Sequence, residues 1–220
     1  MAHTPFLTIE PISMKKLYLG SCYWAPVAYY AALYRNGGAI IEQHDTYMKQ
    51  TYRNRCNIVG AQGVQTLTVP IEKPTPGMAM RDIRISDHGN WRHQHWNALE
   101  AAYRHTPFFL YYEDDLRPFY EKKVEFLYDY NLQLTELMCS LIGIDTSLVP
   151  TTQYVHKPDE MADFRATISP KLEWSDDKEF CPKPYYQVFK ERHGFIANLS
   201  IVDLLFNMGP ESILVLNDGK

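Results

Sequence analysis

The chain has 220 residues, 45% of them hydrophobic and 22% charged, which is the composition of an ordinary globular protein. Its 22 Lys and Arg residues against 26 Asp and Glu give a formal net charge of -4, which argues against a protein that binds nucleic acid over its whole surface. No apolar run has the length of a membrane-spanning helix, and the first residues lack a signal-peptide pattern. We therefore expect a cytoplasmic protein.

The first third of the chain predicts two parallel strands joined by a helix. A short apolar run begins near residue 17, residues 27–34 are apolar on all sides as in a buried helix, and Gly37 and Gly38 precede a second strand at 39–42. Strand, helix and strand in this order form a βαβ unit. Residues 56–59 and 64–71 then predict an antiparallel hairpin with a four-residue loop at 60–63.

The middle of the chain predicts a mixture of strands and helices. Residues 83–85 and 108–112 are short apolar runs typical of strands, and a helix over 91–104 places Trp91 and His95 on one apolar stripe. Pro118 suits the first turn of a helix that begins again at Asp129 and ends at Gly143.

The last third predicts a loop followed by helices. Residues 151–184 are polar, with an acidic run at 173–179, and two helices cover 201–208 and 211–216. The whole sequence therefore predicts one α/β domain, with a mostly parallel Rossmann-like sheet, a β-hairpin insertion and a helical C-terminal part. Residues 1–150 form its α/β core, and residues 151–220 supply a loop or lid and the last helices.

The run of residues 42–55 follows the second predicted parallel strand and carries a concentration of cations. Ligands of open α/β sheets bind beyond the carboxyl ends of the strands. If this run is extended, its cations share one face, while Tyr52 and Asn54 lie on the other; the cations are Lys49, Arg53 and Arg55. Arg offers anions a planar fork and Lys a point charge. The pattern predicts a phosphate or carboxylate site, with a solvated, surface-paired strand as the alternative.

Residues 22–26 lie after the first strand, where a short loop and a helix N-terminus are suited to anions. Trp24 is expected to stack on a ligand there, as are Tyr52 and Trp91. The glycine patterns G-x-G-x-x-G and G-x-x-x-x-G-K-[ST] do not occur, which argues against a standard dinucleotide site and a Walker-type ATPase.

His88 and His95 are candidates for catalysis at and near the start of the predicted helix over 91–104. Either imidazole could act as a general acid or base, ligate a metal or make a structural hydrogen bond. Their spacing of seven residues and the absence of H-E-x-x-H or a cysteine pair argue against a metal site, so none is predicted.

Asp203 interrupts the apolar stretch 201–206, so its carboxylate must be paired or bonded back to the Ser200 cap. Asp203 is therefore a weaker catalytic candidate, and His193 is expected near the same pocket. Four widely separated cysteines indicate reduced thiols. Cys22 or Cys56 would need a base such as His44 to act as a nucleophile.

Three long stretches of the chain resemble the WbqC-like protein family: residues 40–58, 88–109 and 185–212. The resemblance implies an association with surface-polysaccharide gene clusters such as those of O-antigen synthesis. It implies no agreed catalytic residues, and membership of a family predicts a fold better than a reaction.

Two functions are consistent with these observations. The first is a cytoplasmic transferase that modifies an activated sugar or joins a small acyl or aminoacyl group to it, with a phosphorylated or carboxylated small molecule as substrate. It would need no bound cofactor, since the nucleotide sugar or acyl donor is itself a substrate. The alternative is a non-catalytic binding or accessory protein of polysaccharide assembly. A deep cleft that collects Lys49, Arg53, Arg55 and His88 favours the enzyme. A flat aromatic patch elsewhere, with those cations scattered, favours the binding protein.

Overall fold

The computed structural model describes residues 17–158, 162–171 and 183–217. Its described strands form a four-stranded sheet and a two-stranded hairpin. In chain order the strands are β1 (Leu17–Gly20), β2 (Gly38–Glu42), β3 (Arg55–Gly60), β4 (Gly63–Thr68), β5 (Ser147–Pro150) and β6 (Ala162–Asp163). The larger sheet has the order β5-β2-β1-β6, and every described pair in it is parallel.

This strand order has a direct consequence for ligand binding. β1 is central, the next two strands of the sheet lie on one side of it, and β6 lies on the other, as in the first strands of a Rossmann-type sheet. The strands of the sheet that follow β1 in the chain are thus added first on one side of it and then, with β6, on the other side. The place between β1 and β6 where this order reverses is the switch point of the sheet. Such a switch point opens a crevice at the carboxyl ends of the two strands. The predicted α/β fold with a parallel sheet and an inserted hairpin is confirmed.

The helices surround the sheet and the hairpin. In chain order they are α1 (Val27–Asn36), α2 (Trp91–Tyr103), α3 (Phe109–Leu116), α4 (Pro118–Glu121), α5 (Leu127–Ile142), α6 (Lys190–His193), α7 (Ile201–Met208) and α8 (Ser212–Leu216). Short 3-10 turns occur at Met80–Asp82 and Gly209–Glu211. Helix α1 contacts β1, β2, α7 and α8, which explains why its sequence is apolar on all sides.

The predicted strand at 108–112 is wrong, because these residues enter helix α3. Phe109, Tyr112 and Leu116 are buried, whereas Leu110 and Tyr111 between them are 63% and 73% exposed. That spacing is helical, and a short apolar run cannot by itself distinguish a strand from a helix. Residues 83–85 are also not a strand: Arg84 and Ile85 form only isolated bridges, to Phe126 and Ile71.

Several predicted boundaries differ from those in the structure. The hairpin pairs as far as Gly60 and Gly63, so its loop has two residues, and β4 ends at Thr68. Helix α5 begins at Leu127 and ends before Gly143, whose positive φ of 81° is the left-handed cap that was expected. The acidic run at 173–179 lies outside the described residues, as does the N-terminal segment.

The segment predicted as a loop or lid contributes to the sheet. Within it, Ala162 and Asp163 form β6 and pair with Leu17 and Tyr18 of β1. This strand of two residues brings the turn at 164–169 to the switch point. In the described ranges, no helix is both long and apolar enough to cross a membrane.

Candidate functional site

Two adjoining cavities lie at the carboxyl ends of β1, β2 and β6. The larger, here called the outer cleft, has a volume of about 700 Å³, and its polar lining includes His44, Asp45, Arg53, Tyr154, His156 and Arg165. The smaller, here called the inner chamber, has a volume of about 110 Å³ and is lined in part by Gly20, Ser21, Cys22, Tyr52, Arg53 and Ile168. Arg53 and Arg165 line both cavities, so the chamber and the cleft share part of their walls.

Strand topology places these residues together. Ser21 and Cys22 follow β1, His44 and Asp45 follow β2 closely, and residues 164–169 follow β6. Because the strands are parallel, all three segments emerge at the same edge of the sheet. This is the edge on which the sequence analysis placed the ligand.

Glu42 is a buried carboxylate that contacts residues of the outer cleft, including Arg165. Its side chain is fully buried and accepts hydrogen bonds from Tyr18 Oη at 2.6 Å, the His44 backbone N at 2.7 Å and Thr151 Oγ1 at 3.0 Å. Arg165 Nη1 donates a fourth at 3.3 Å. Burial and the neighbouring carboxylate raise the pKa of Tyr18. A buried carboxylate with four donors is compensated, so Glu42 orders the cleft instead of reacting.

Arg165 is held rigidly at the wall between the two cavities. Its Nε and Nη2 donate to the carboxylate of Asp163 at 3.0 and 2.8 Å, a bidentate pair. Its guanidinium lies 4.3 Å from the ring centroid of Tyr18 and 5.4 Å from that of Tyr154. The hydrogen bonds from Arg165 lower the pKa of Asp163. This arrangement fixes a planar cation between two aromatic rings.

Arg53 is the second cation shared by the cavities. It is 6% exposed, and Nη2 forms an ion pair with Asp45. Burial raises the pKa of Asp45, and the charge of Arg53 opposes that shift. The Nε of Arg53 is buried and has no hydrogen-bond partner among the described residues. Arg53 therefore retains donor capacity beyond its pair with Asp45.

His44 is the histidine whose geometry suits proton transfer in the outer cleft. Its Nε2 lies 3.1 Å from the backbone oxygen of Thr151. A carbonyl oxygen can only accept, so Nε2 carries the proton and Nδ1 of the neutral ring is left as an acceptor. His156, on the same cleft, packs edge-on against Tyr154 with ring centroids 5.3 Å apart.

The expected row of cations on one face does not form, because residues 43–54 turn back into the protein. The backbone oxygen of Tyr52 accepts from Tyr23 N at 2.8 Å, and that of Asn54 accepts from Val69 N at 2.8 Å. Asn54 is buried and donates to the oxygen of Val69 at 2.9 Å. Lys49 is exposed and Arg55 half-buried, and neither lines the two cavities. Of the three predicted cations, only Arg53 does.

His88 and His95, the catalytic candidates of the sequence analysis, line neither cavity, so the structure does not bring them together with Arg53. His88 is exposed in the loop before α2. His95 is 5% exposed, with Nδ1 2.9 Å from the hydroxyl of Tyr23. Burial lowers the pKa of His95 to about 4, and a hydrogen bond with the backbone of Thr68 acts in the opposite direction by raising the pKa. The histidine side chain is amphipathic, and the apolar stripe of α2 carries it into the core as a structural group.

The predicted stacking residues Trp24 and Trp91 are unavailable to a ligand in this structure. Trp24 is fully buried, and its indole nitrogen donates to Tyr120 Oη at 2.7 Å. Trp91 is 5% exposed and packs against His95 and Tyr130. The third, Tyr52, is 8% exposed and lines the inner chamber.

The N-terminus of α1 is also closed to anions. The Val27 backbone N donates to the oxygen of Leu199 at 3.0 Å, and the Ala28 N donates to Asn198 Oδ1 at 2.9 Å. These are the donors that a bound phosphate would use. The C-terminal part of the chain therefore occupies the position that the sequence analysis assigned to a ligand.

Asp203 joins the C-terminal segment to α2 and is fully buried. It accepts from Tyr185 Oη at 2.6 Å, from Tyr103 Oη at 3.0 Å and from Gln187 Nε2 at 3.0 Å. Burial raises its pKa to about 6, and the hydrogen bonds oppose the shift. The expected bond back to the cap is absent among the described contacts, because Ser200 Oγ donates to the oxygen of Trp24 instead.

His193 lies on α6, half-buried, with Nε2 3.2 Å from the backbone oxygen of Ala61. It lines neither cavity. Cys22, Cys56 and Cys139 are free and buried, and Cys181 lies outside the described residues. Burial raises the pKa of the Cys22 thiol to about 12 despite the nearby charge of Arg53, so the thiolate is disfavoured.

The sequence analysis missed most of the polar residues that line the outer cleft. Asp45, Tyr154, His156, Asp163 and Arg165 were not candidates, and His44 appeared only as a base for a cysteine. Asp163 and Arg165 lie in and next to β6, which is too short to produce a strand pattern. Within the described ranges, no three histidine, cysteine, aspartate or glutamate side chains are grouped so as to hold a metal ion.

Comparison with known proteins agrees with the resemblance noted in the sequence. The chain is 31% identical over 202 residues to the uncharacterized protein Rv1507c of Mycobacterium tuberculosis, an alignment that covers 79% of this chain and 84% of the relative. No solved structure shows significant similarity to the chain. The model of the WbqC-like protein family matches residues 21–176, which include β2 and the whole lining of the outer cleft, whereas β1 and with it Leu19 and Gly20 of the inner chamber precede the match. The chain therefore belongs to the WbqC-like protein family.

Proposed function

We propose that the protein is a transferase that joins a small acyl or aminoacyl group to an activated sugar. The observation that carries this proposal is the outer cleft of about 700 Å³ at the switch point of the parallel sheet. A cleft of this size is in the range of sites for small molecules and cofactors. Its position is the one that open α/β sheets use for ligands.

The chemistry of the outer cleft suits a ligand rich in hydroxyl groups. Arg53 is paired with Asp45, and Arg165 with Asp163, so cations and carboxylates alternate along the wall. Sugar hydroxyls both donate and accept, and they can therefore bond to both members of such pairs. Tyr154 adds an aromatic ring at the same wall, on which an apolar sugar face can stack.

His44 is the general base in this proposal. The hydroxyl or amine of the bound sugar attacks the carbonyl carbon of the acyl donor and forms the new C–O or C–N bond. Its proton passes to His44 Nδ1, the acceptor left free by the bond from Nε2 to Thr151. The bond between the carbonyl carbon and the leaving group then breaks, and its electron pair departs with the leaving group. Arg53 or Arg165 offers N–H groups to the anionic parts of either substrate.

The biological setting of the proposal follows from the family. The WbqC-like resemblance implies an association with surface-polysaccharide gene clusters such as those of O-antigen synthesis. A cytoplasmic transferase that acts on a nucleotide sugar is consistent with that setting. The volume of the outer cleft supports an enzyme over the accessory protein that the sequence left open, and of the four residues expected to meet in a cleft Arg53 lines it, whereas Lys49, Arg55 and His88 do not.

Binding is tested by thermal unfolding with a panel of nucleotide sugars, with the free nucleotides as the comparison. A ligand at about 100 times its dissociation constant stabilises the folded protein by about 2.7 kcal/mol. Arg53→Met is expected to lose this stabilisation. Arg55→Met is the matched control, since Arg55 lies outside both cavities, and it is expected to keep it. Equal stabilisation of both variants would contradict the assignment of the cleft.

Catalysis is tested by mass spectrometry of the bound nucleotide sugar after incubation with acyl-CoA donors. His44→Gln is expected to lower the rate of transfer about 10²–10⁴-fold while ligand-induced stabilisation persists. The exposed His105 provides the matched control, His105→Gln, with an unchanged rate. Binding of a nucleotide sugar without any transfer in the wild type would favour the non-catalytic binding protein.

A further inference from the structure

We propose that the inner chamber binds a short acyl or carboxylate group of two or three carbons, with its oxygen directed to Arg53. This inference adds the size of the transferred group to the proposed function. As a statement about the transferred group, the inference rests on the proposed function. The binding itself depends only on the chamber.

The volume of the chamber limits its ligand. An engineered apolar cavity of about 150 Å³ accepts benzene, with its six carbon atoms. The chamber has about 110 Å³ and therefore accommodates about five non-hydrogen atoms. An acetyl or propionyl group is of this size. A hexose ring is much larger and remains in the outer cleft.

The walls of the chamber are mostly apolar with two cations among them, Arg53 and Arg165, and the guanidinium of Arg165 is already bonded to Asp163, Glu42 and the backbone of Val155. Leu19, Tyr29, Phe164 and Ile168 contribute apolar surface. The hydroxyl of Thr51 is engaged, since it donates to the backbone oxygen of Met48 at 2.9 Å. A short alkyl chain fits such walls, because its burial is favourable at about 0.8 kcal/mol per CH₂ group.

Arg53 supplies the polar contact in the chamber. Among the described residues, only Asp45 accepts a hydrogen bond from the Arg53 side chain, and the donor atom is Nη2. The buried Nε of Arg53 has no partner among them. Arg53 lines the chamber, and its hydrogen bonds within the described residues do not use Nη1, so this group is the donor for an oxygen of the ligand. A carbonyl or carboxylate oxygen is an acceptor and suits a guanidinium.

Gly20 gives the chamber its space. It ends β1 on the same face of the strand as Tyr18, and a Cβ atom added there would meet nothing within 4 Å. Gly20 lines the chamber, so the open space is the chamber itself. A Cβ at this position displaces no neighbour in the described structure, and a larger side chain is expected to occupy part of the chamber.

The experiment follows the binding of sodium propionate by ligand-observed NMR, with sodium hexanoate as the longer acid. Wild-type protein is expected to bind propionate. Its affinity for hexanoate is expected to be lower by about tenfold or more. Gly20→Val is expected to weaken propionate binding by about tenfold or more. Gly60→Val is the matched control: Gly60 also ends a strand, an added Cβ there also meets nothing within 4 Å, and it lines neither cavity. Its propionate affinity is expected to equal that of the wild type.

Propionyl-CoA, compared with CoA alone, distinguishes a thioester donor from the free acid as the source of the group. Propionate binding that Gly20→Val leaves unchanged, or hexanoate binding as strong as that of propionate, overturns the inference. The comparison of the two acids uses the wild type and holds even if Gly20→Val does not fold. If propionate binds as expected while nucleotide sugars neither bind nor react, the proposed function fails and the chamber assignment stands.

Discussion

Protonation of His95 is expected to destabilise the folded protein in acid. The residue is 5% exposed, and burial lowers its pKa from 6.5 to about 4. Below pH 6.5 the unfolded chain therefore binds a proton that the folded chain does not, and stability falls as the pH falls. Each pKa unit corresponds to 1.36 kcal/mol, so this shift removes about 3 kcal/mol of stability between pH 6.5 and pH 4.

The assay is urea unfolding at a series of pH values between 4 and 7. His95→Gln replaces the imidazole with a neutral group, and we expect its free energy of unfolding, relative to that of the wild type, to rise by about 3 kcal/mol from pH 6.5 to pH 4. His93→Gln is the control, because His93 is exposed on the same helix, and it is expected to leave the slope as in the wild type.

Two results would refute this reasoning. One is a pH slope in His95→Gln that equals the slope of the wild type. The other is a folded protein in which NMR shows the His95 ring titrating near pH 6.5. Either result would mean that solvent reaches the imidazole, and His95 would then again be a candidate for general base catalysis.

Two further predictions concern groups that hold the C-terminal part in place. Gly209→Ala should lower the free energy of unfolding by about 2–4 kcal/mol, because φ is +54° and the new Cβ would lie 2.5 Å from the ring of Phe108. Gly194→Ala, with φ of +74° and open space, should lose only the backbone contribution of about 1–2 kcal/mol in the same urea titration. Burial raises the pKa of Asp203 to about 6, so wild-type stability gains a contribution as the pH falls from 6 to 4. Asp203→Asn should lack that contribution in unfolding curves measured across this range, and an unchanged profile would contradict it.

Elements with a strong local signal were predicted from the sequence alone. The apolar helix between two short strands, the glycine-bounded hairpin and the cap at Gly143 each depend on a few neighbouring residues. Helix α3 was missed because its apolar residues are adjacent in sequence, and only the packing shows which of them face the core. β6 was missed because two residues carry no periodicity.

The sequence analysis proposed a ligand site at the sheet edge where the two cavities lie. Of its candidate residues, Arg53 and Tyr52 line a cavity. The rule that ligands bind beyond parallel strand ends located the cleft, and Arg53 lies in it. Arg165 was not predicted, since its place depends on the pairing of β6 with β1, in which Tyr18 lies opposite Asp163, a residue far away in the sequence. His95 was misassigned because the polarity of a side chain does not reveal whether the fold buries it.

The amino-acid order by itself thus determined the βαβ unit and the hairpin, which follow from local backbone preferences and short-range hydrophobic periodicity between neighbouring residues. It also determined the family, through the resemblance of three long stretches of the chain. The tertiary structure alone decided which charged groups face the cleft, that Asn198 and Leu199 close the N-terminus of α1, and that Gly20 leaves an open chamber. Those features depend on contacts between segments far apart in the chain, and desolvation, which shifts the pKa of His95 and Asp203, exists only after those contacts form.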